Sequence, residues 1–513
     1  MVKTIISLRD MCAKWWLERV QHYLRRDTSK PDLFGLQRYL SDLPREIRSY
    51  IIHNALKAGG LHLAHGSKEI PAVNRSLVFL SSDITVREII YVTFLKSSSE
   101  AIIFHPDLEL LIRYGEGVLR MCIMLPNLFS NSIKKDFTDL CRTCYNLTEI
   151  KISDANDEVL ALITRHCRNI CKLDASGSQG VTDEGVSRII VNLKWSDNKG
   201  SKIKIIDFDR TSVTKEGEAQ LLSRLPSIIS FGNMDIIESI QSLAVLSEDS
   251  TFSTVIEEIN IKCATVGRIQ DLKKYCPNLK SIKVTFQEQV GATLNDLRLL
   301  KNLNHIDIII RDPFLLTLRN FNDFVWDMGN NLKTIKVCGD IFWEADLGAL
   351  AGQCPHIQTI SLPAVTVPTK ESLTVLKTDH LSSLTNLREL VIDCMSGICP
   401  KAWAKDFSLI RLGIVLALKR CTSLKKLVLR PTCLVDADFM DIFSTNSLLR
   451  LEVLELYNCT LSLMCAKMIV DTCINLHVMK GLRTWRGITL HELVLLRKYS
   501  RGHRRAADLK IIP

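Results

Sequence analysis

The most regular feature of the chain is a short phrase of alternating apolar and polar positions that recurs along most of its length. "CYNLTEIKI", "CRNICKLDA", "CPNLKSIKV", "CPHIQTISL", "CTSLKKLVL" and "CINLHVMKG" share one form: a cysteine ends a helical segment, and apolar residues follow as Leu-x-x-Leu-x-Leu or a near equivalent. "LPSIISF", "LNHIDII", "NLKTIKV", "NLRELVI" and "RLEVLEL" repeat it without the cysteine. Alternation over so few residues predicts a half-buried strand. The first apolar anchors fall at Leu147, Ile170, Ile203, Ile228, Ile256, Leu279, Leu303, Leu332, Ile357, Leu387, Leu424, Leu451 and Leu476, a mean spacing of about 27 residues. Between them, "GVTDEGVSRII", "VTKEGEAQLLSRL" and "DADFMDIFS" carry apolar positions at the helical period, and Thr182 with Asp183 ahead of Val186 reads as an N-terminal cap.

One strand-helix unit of this size cannot cover both of its apolar edges, so each must be covered by its neighbour and the stacked units share a continuous core. The pattern predicts an α/β leucine-rich-repeat solenoid: a horseshoe or arc with parallel strands on the concave face and helices outside. The repeats occupy 141–485. A helical region precedes them at 1–60, with a mixed, partly helical entry at 61–140, and a C-terminal helix and basic tail follow at 486–513. The cysteine-ended units and the phrase "VTDEGV" resemble the cysteine-containing class of leucine-rich repeats common in F-box proteins and related substrate receptors, over about residues 141–482. Concave-face positions lie two, four and six residues after each anchor and include Glu149, Lys151, Asp174, Asp207, Asp209, Lys283, Asp307, Lys336, Lys426 and Arg430. Their signs are mixed, with no long stripe of one charge and no aromatic cage. The pattern specifies a solvated face and leaves the target-binding residues unknown.

The chain opens differently. In "SLRDMCAKWW", Ser7 and Asp10 form a capping box, and Leu8, Cys12, Trp16 and Val20 follow at four-residue steps on one helix face. Such a stripe either shields the open end of a solenoid or enters a groove on another protein. After a polar linker, "LSDLPREIRSYIIHNAL" reads as a second amphipathic helix with proline in its first turn. The pair resembles a VHL box, that is, a BC box followed by a cullin-2 box. Ser7, Leu8, Cys12 and Trp16 match the first motif position by position, and Leu43, Pro44, Ile47 and Ile51 match the second. The resemblance implies docking on elongin B/C and cullin-2, with Leu8 as the plug in an elongin C pocket, Cys12 as the close-packed small residue and Pro44 as a cullin contact. Trp16 is bulkier than the usual aliphatic residue, the linker is long, and Glu46 stands where a cullin-5 box has a second proline.

The second helix also resembles the opening of an F-box, which implies a Skp-type adaptor and cullin-1 instead. The following "KAGGLHLAHGSKEIPAVNR" departs from the cysteine-tryptophan helix an F-box has there. On a third reading the chain is a leucine-rich-repeat scaffold or regulator with no ligase link, and its first 60 residues serve no adaptor.

Composition narrows the remaining choices. The 513 residues are 46% hydrophobic and 24% charged, as in an ordinary folded protein. No apolar run approaches the ~20 residues that span a bilayer, and "MVKTIISLRD" has no secretory h-region. With no export signal, the 17 cysteines point to reduced thiols in the cytoplasm or nucleus. Cys141 and Cys144 have CxxC spacing, which suggests metal or redox chemistry. Yet Cys144, Cys167, Cys276, Cys354, Cys421 and Cys473 all stand three residues before an anchor, so a small apolar corner residue explains them and no metal is expected. No phosphate-binding loop, HExxH, GxSxG or dinucleotide fingerprint occurs, and the reading is of a protein without catalysis or cofactor. The net charge of +10 includes Arg497, Lys498, Arg501, Arg504 and Arg505 near the end. Tyr499 is the one aromatic residue among them, too few to stack successive bases, so this cluster reads as a solvated tail, and neither nucleic acid nor membrane is the expected partner.

Overall fold

The computed structural model describes residues 86–93, 95–96, 102–103, 112, 115–125, 131–194, 202–232, 236–246, 253–261, 265–286, 294–310, 318–338, 346–363, 365, 368–377, 383–393, 401–430, 434–502 and 509–512. The chain forms two compact units, Met1–Val255 and Ile256–Pro513. In the first, strands β1 (Val86–Thr93), β2 (Val118–Met124), β3 (Glu149–Ser153), β4 (Lys172–Asp174), β5 (Ile205–Asp207) and β6 (Ser230–Phe231) pair in parallel and in chain order. Helices α1 (Asn131–Thr143), α2 (Asp157–His166), α3 (Asp183–Lys194) and α4 (Lys215–Arg224) connect successive strands from β2 onward, and α5 (Ile236–Leu246) follows β6.

The second unit repeats the plan. Its parallel ladder runs through β7 (Glu258–Ile261), β8 (Ser281–Phe286), β9 (His305–Ile310), β10 (Thr334–Cys338), β11 (Thr359–Leu362), β12 (Glu389–Asp393), β13 (Lys426–Arg430), β14 (Val453–Leu456), β15 (Val478–Lys480) and β16 (Lys510–Ile512). The connecting helices are α6 (Val266–Tyr275), α7 (Leu294–Leu297), α8 (Leu318–Met328), α9 (Leu347–Gln353), α10 (Lys370–Lys377), α11 (Lys401–Arg420), α12 (Asp436–Thr445), α13 (Leu463–Thr472) and α14 (Leu490–Gly502). Among the described residues no helix is long and apolar enough to cross a membrane. Strand, helix, parallel strand is the α/β repeat that the sequence pattern specifies.

All thirteen anchors are buried, none more than 5% exposed. Each is worth about 1.5–3 kcal/mol of transfer free energy, and their stacking supplies much of the core. The inward strand residues complete it: Ile150 with Ile152, Leu173, Ile206, Ile282 with Val284, and Leu454 with Leu456 are all buried. Phe208, just past β5, meets Phe231 of β6 edge to face at 6.2 Å. The pattern also reaches back before residue 141. In β2, Val118, Met121 and Ile123 are buried at anchor-x-x-apolar-x-apolar spacing, with methionine in the usual leucine place.

The corner cysteines have one role. Cys167, Cys276, Cys354 and Cys473 close their helices, each N–H donating to the carbonyl four residues back at 2.8–2.9 Å. Their carbonyls then accept from the anchor N–H three residues on. Burial pushes the thiols of Cys354, Cys421 and Cys473 up to about 12, so these groups stay protonated and apolar.

Two devices join neighbouring repeats. Asp157, in the first turn of α2, accepts from the Thr182 N–H and hydroxyl, both at 2.7 Å. Thr182 in turn caps α3 by accepting from the Glu184 N–H. Asp183 holds Thr214 in the same way at 2.8 and 2.6 Å, and Asp436 holds Ser462. At the opposite end of the helices, Asn146, Asn302, Asn331 and Asn475 donate to carbonyls of Glu116, Pro277, Lys301 and Leu449, one repeat earlier. Both devices satisfy groups that a corner would otherwise leave without partners.

Candidate functional site

The helices cover one side of each ladder, and the other side presents the polar strand residues. In the first unit the register sets Arg120 beside Glu149 and Lys172, and Cys122 beside Lys151, Asp174 and Asp207. Opposite charges meet across the strands: Arg120 Nε is 3.0 Å from Glu149, and Lys151 Nζ is 2.9 Å from Asp174. Burial raises the Asp174 carboxyl, but hydrogen bonds from the Ser176 hydroxyl, Lys151 and the Ser176 N–H outweigh it and leave the group below its ordinary value. Asp207 shifts the other way. Burial is the main cause; the N–H of Asp209 donates to it at 3.0 Å and opposes the rise, while the charges of Asp174 and Asp209 add to it. A Cβ on Gly232 would collide with the Asp207 carboxyl group, so the glycine makes the space in which this carboxylate sits.

In the second unit, Lys283, Asp307 and Lys336 stand side by side in register, with Lys283 Nζ 3.8 Å from Asp307. Lys426 stands between Glu389 and Val453. Arg430 belongs to a dense polar group on this face. Its guanidinium lies 4.0 Å over the Tyr457 ring, and its Nε is 3.5 Å from Asp393. The Tyr457 hydroxyl donates to Glu455 at 3.2 Å, and Lys480 donates to the other Glu455 oxygen at 2.8 Å. Burial raises the Asp393 carboxyl, opposed by Arg430 and reinforced by Glu455. The period-two pattern places Tyr457, Asp393, Glu455 and Lys480 on the outer face, and this geometry pairs them.

The helix side of the first unit carries one further feature. A cleft of about 400 Å³ opens between α1, α2 and α3, walled by Lys134 paired with Glu158, Arg188 paired with Glu184, and Arg165, Ala161, Leu162 and Val191. Among the described residues no group of three or more His, Cys, Asp or Glu side chains could hold a metal ion; Cys141, within α1, and the corner residue Cys144 are both buried. The adaptor-contact positions Ser7, Leu8, Cys12, Trp16, Leu43, Pro44, Ile47 and Ile51 lie outside the described residues.

Fold and surface together define a leucine-rich-repeat protein with mixed-charge open faces. No family model matches the chain, and no curated protein matches it. Among solved structures it is similar to a chain of the Rad7 and Elc1 complex in yeast, at 12% identity and a TM-score of 0.37, covering 100% of this chain and 92% of that one. It is also similar to a chain of the TLR13–ssRNA13 complex, at 10% identity and a TM-score of 0.32, covering 85% of this chain and 65% of that one. The fold assignment rests on the strand register and buried anchors described above.

Proposed function

We propose that this chain is the substrate-recognition subunit of a cullin-RING E3 ubiquitin ligase, acting in the cytoplasm or nucleus. It docks on elongin B/C and cullin-2 through residues 7–51 and presents a protein target on its repeats. The observation that carries the reading is the ordered pair of motifs at the start: Ser7, Leu8, Cys12 and Trp16, then Leu43, Pro44, Ile47 and Ile51, ahead of a repeat array. The subunit performs no ubiquitin chemistry. Its contribution is to hold a target lysine at high effective concentration near a loaded conjugating enzyme.

Affinity capture from cell extract tests the proposal. Elongin B/C is expected with the wild-type chain and is lost with Leu8→Lys combined with Cys12→Phe, while the melting curve stays unchanged. A Skp-type adaptor in place of elongin assigns the second helix to an F-box. Capture of neither adaptor leaves a scaffold. Either result overturns the proposal.

A further inference from the structure

One edge of the first unit is strongly and unevenly charged. Where α1, α2 and α4 end and β4 and β5 begin, six exposed cations gather: Arg142, Arg165, Arg168, Lys202, Lys204 and Arg224. Arg142 and Arg165 occupy the same place in successive repeats, each two residues before a corner cysteine. The alignment continues through contacts at the corner, since Asn169 donates to Asn146 at 3.5 Å and Lys202 donates to Asn169 at 2.7 Å. His166 lies among the first three. Burial lowers its pKa, and the positive charges of Arg142, Arg165 and Arg168 lower it further. Among the described residues, Glu116 and Asp139 stand against the six cations, and Asp139 pairs with Arg142 at 3.3 Å.

The helix macrodipole favours some basic residues at any helix C-terminus. It applies equally to the second unit, where some of the equivalent cations are answered by carboxylates of the neighbouring repeat, while Lys274, Lys333 and Arg388 are exposed like those of the first unit. Lys280 meets Glu257 at 2.6 Å, Lys425 meets Glu452 at 2.7 Å, and Lys419 meets Asp441 at 2.7 Å. In the first unit, Arg142 alone of the six has an ion-pair partner among the described residues. Five of the six cations on this edge are therefore exposed without an ion pair among the described residues.

We infer that this edge of the first unit is a docking surface for an acidic segment of a partner protein. Charge complementarity names the partner's sign. The adjoining cleft favours a polypeptide over nucleic acid. Arg165 stands at its wall, and Val191, 53% exposed, offers an apolar seat beside Ala161 and Leu162. A chain with carboxylates along the edge can lay an apolar side chain there, whereas a phosphate backbone has nothing to bury. As a statement about the target of a ligase this rests on the receptor reading, but peptide binding and adaptor capture fail independently.

Fluorescence anisotropy of a labelled polyglutamate peptide with the full chain tests the inference. Binding is expected to weaken as salt is raised from about 50 to about 300 mM. It should fall by about tenfold or more in the double variant Arg165→Glu/Arg168→Glu, as expected when charges at a complementary surface are reversed. Both residues are exposed, and an unchanged circular dichroism spectrum verifies folding. Lys273→Glu/Lys274→Glu, exposed on α6 of the second unit, should leave binding unchanged. Equal loss in both variants would reduce the effect to net charge and overturn the inference. So would no loss in the first variant, or binding of oligo(dT) with none of the peptide.

Discussion

The carboxylate staples between repeats make a prediction whose sign depends on the background in which it is measured. Asp157 accepts two hydrogen bonds from Thr182 at 2.7 Å, and both residues are half-buried. Hydrogen bonds to a charged group contribute about 1.5–3 kcal/mol each; because water reaches this pair, the lower end applies, about 2–3 kcal/mol together. An acid in the first turn of α2 adds about 0.3–1 kcal/mol through the macrodipole. Asp157→Ala should therefore cost about 3 kcal/mol. Gly185 sits against this carboxylate, and a Cβ built there collides with Oδ1 and lies 3.1 Å from Cγ. Gly185→Ala must push Asp157 off Thr182. It loses most of the staple and regains about 1 kcal/mol of helix propensity, a net cost of about 2 kcal/mol.

In the Asp157→Ala background the obstructing carboxylate is gone. The nearest remaining atom of residue 157 is its α-carbon, 3.3 Å away, and the same Gly185→Ala change should be neutral or stabilising. The four proteins of this cycle are compared by urea unfolding. Hydrogen exchange at the first turn of α3 localises the effect, since a chain of two units need not unfold in one step. A coupling of about 2–3 kcal/mol is expected. Additive costs, within about 0.5 kcal/mol, would refute the staple as a source of stability.

Further outcomes follow from single positions. Arg210 holds a left-handed backbone with φ 55°, at a place that glycine occupies in the preceding repeat, so Arg210→Gly should raise stability by about 0.5–1 kcal/mol in the same urea assay. Asp207 has a raised carboxyl pKa in the folded chain, so its ionisation opposes folding at neutral pH and ceases to do so as pH falls below the unfolded value, near 3.8. Asp207→Asn keeps an oxygen to accept from Asp209, and should melt higher than wild type at pH 7 with the difference shrinking toward pH 4; a constant difference would contradict this. Native-state thiol labelling read by mass spectrometry should modify exposed Cys338 and spare Cys354, Cys421 and Cys473, whose buried thiols are pushed up to about 12.

The repeat is legible because its signal runs along the chain. Anchors such as Leu147 and Leu424 follow period-two alternation, and a one-residue slip would turn every one of them to solvent. The same signal is weaker in Val118-x-x-Met121-x-Ile123, where methionine and valine replace leucine and hide the repeat. The left-handed position after the strands also leaves a trace in the sequence. Asp154, Gly177, Arg210 and Asn458 each stand two residues past the last inward residue, and three of the four are types that tolerate that conformation. What lies beyond the sequence runs across the chain. Asp157 and Thr182 are 25 residues apart, as two polar residues in separate helical phrases, and no periodicity couples them.

The open faces explain why the target site is the least legible part. Read in order, Glu149, Lys151, Asp174 and Lys283 are an uninformative mixture of signs. In register the mixture becomes a set of pairs, Arg120 with Glu149, Lys151 with Asp174 and Lys283 with Asp307, each joining residues one repeat apart. Charges that satisfy one another across strands are poor candidates for attracting a partner, because a partner must first compete with the internal pair. Removing every such pair from the first unit leaves its faces nearly neutral and its basic edge almost untouched. A site search based on strand-face positions therefore looks where the fold has already used its charge. In the first unit, the cations without such a pair among the described residues lie mostly at the corners, in the turns that the repeat pattern treats as connections.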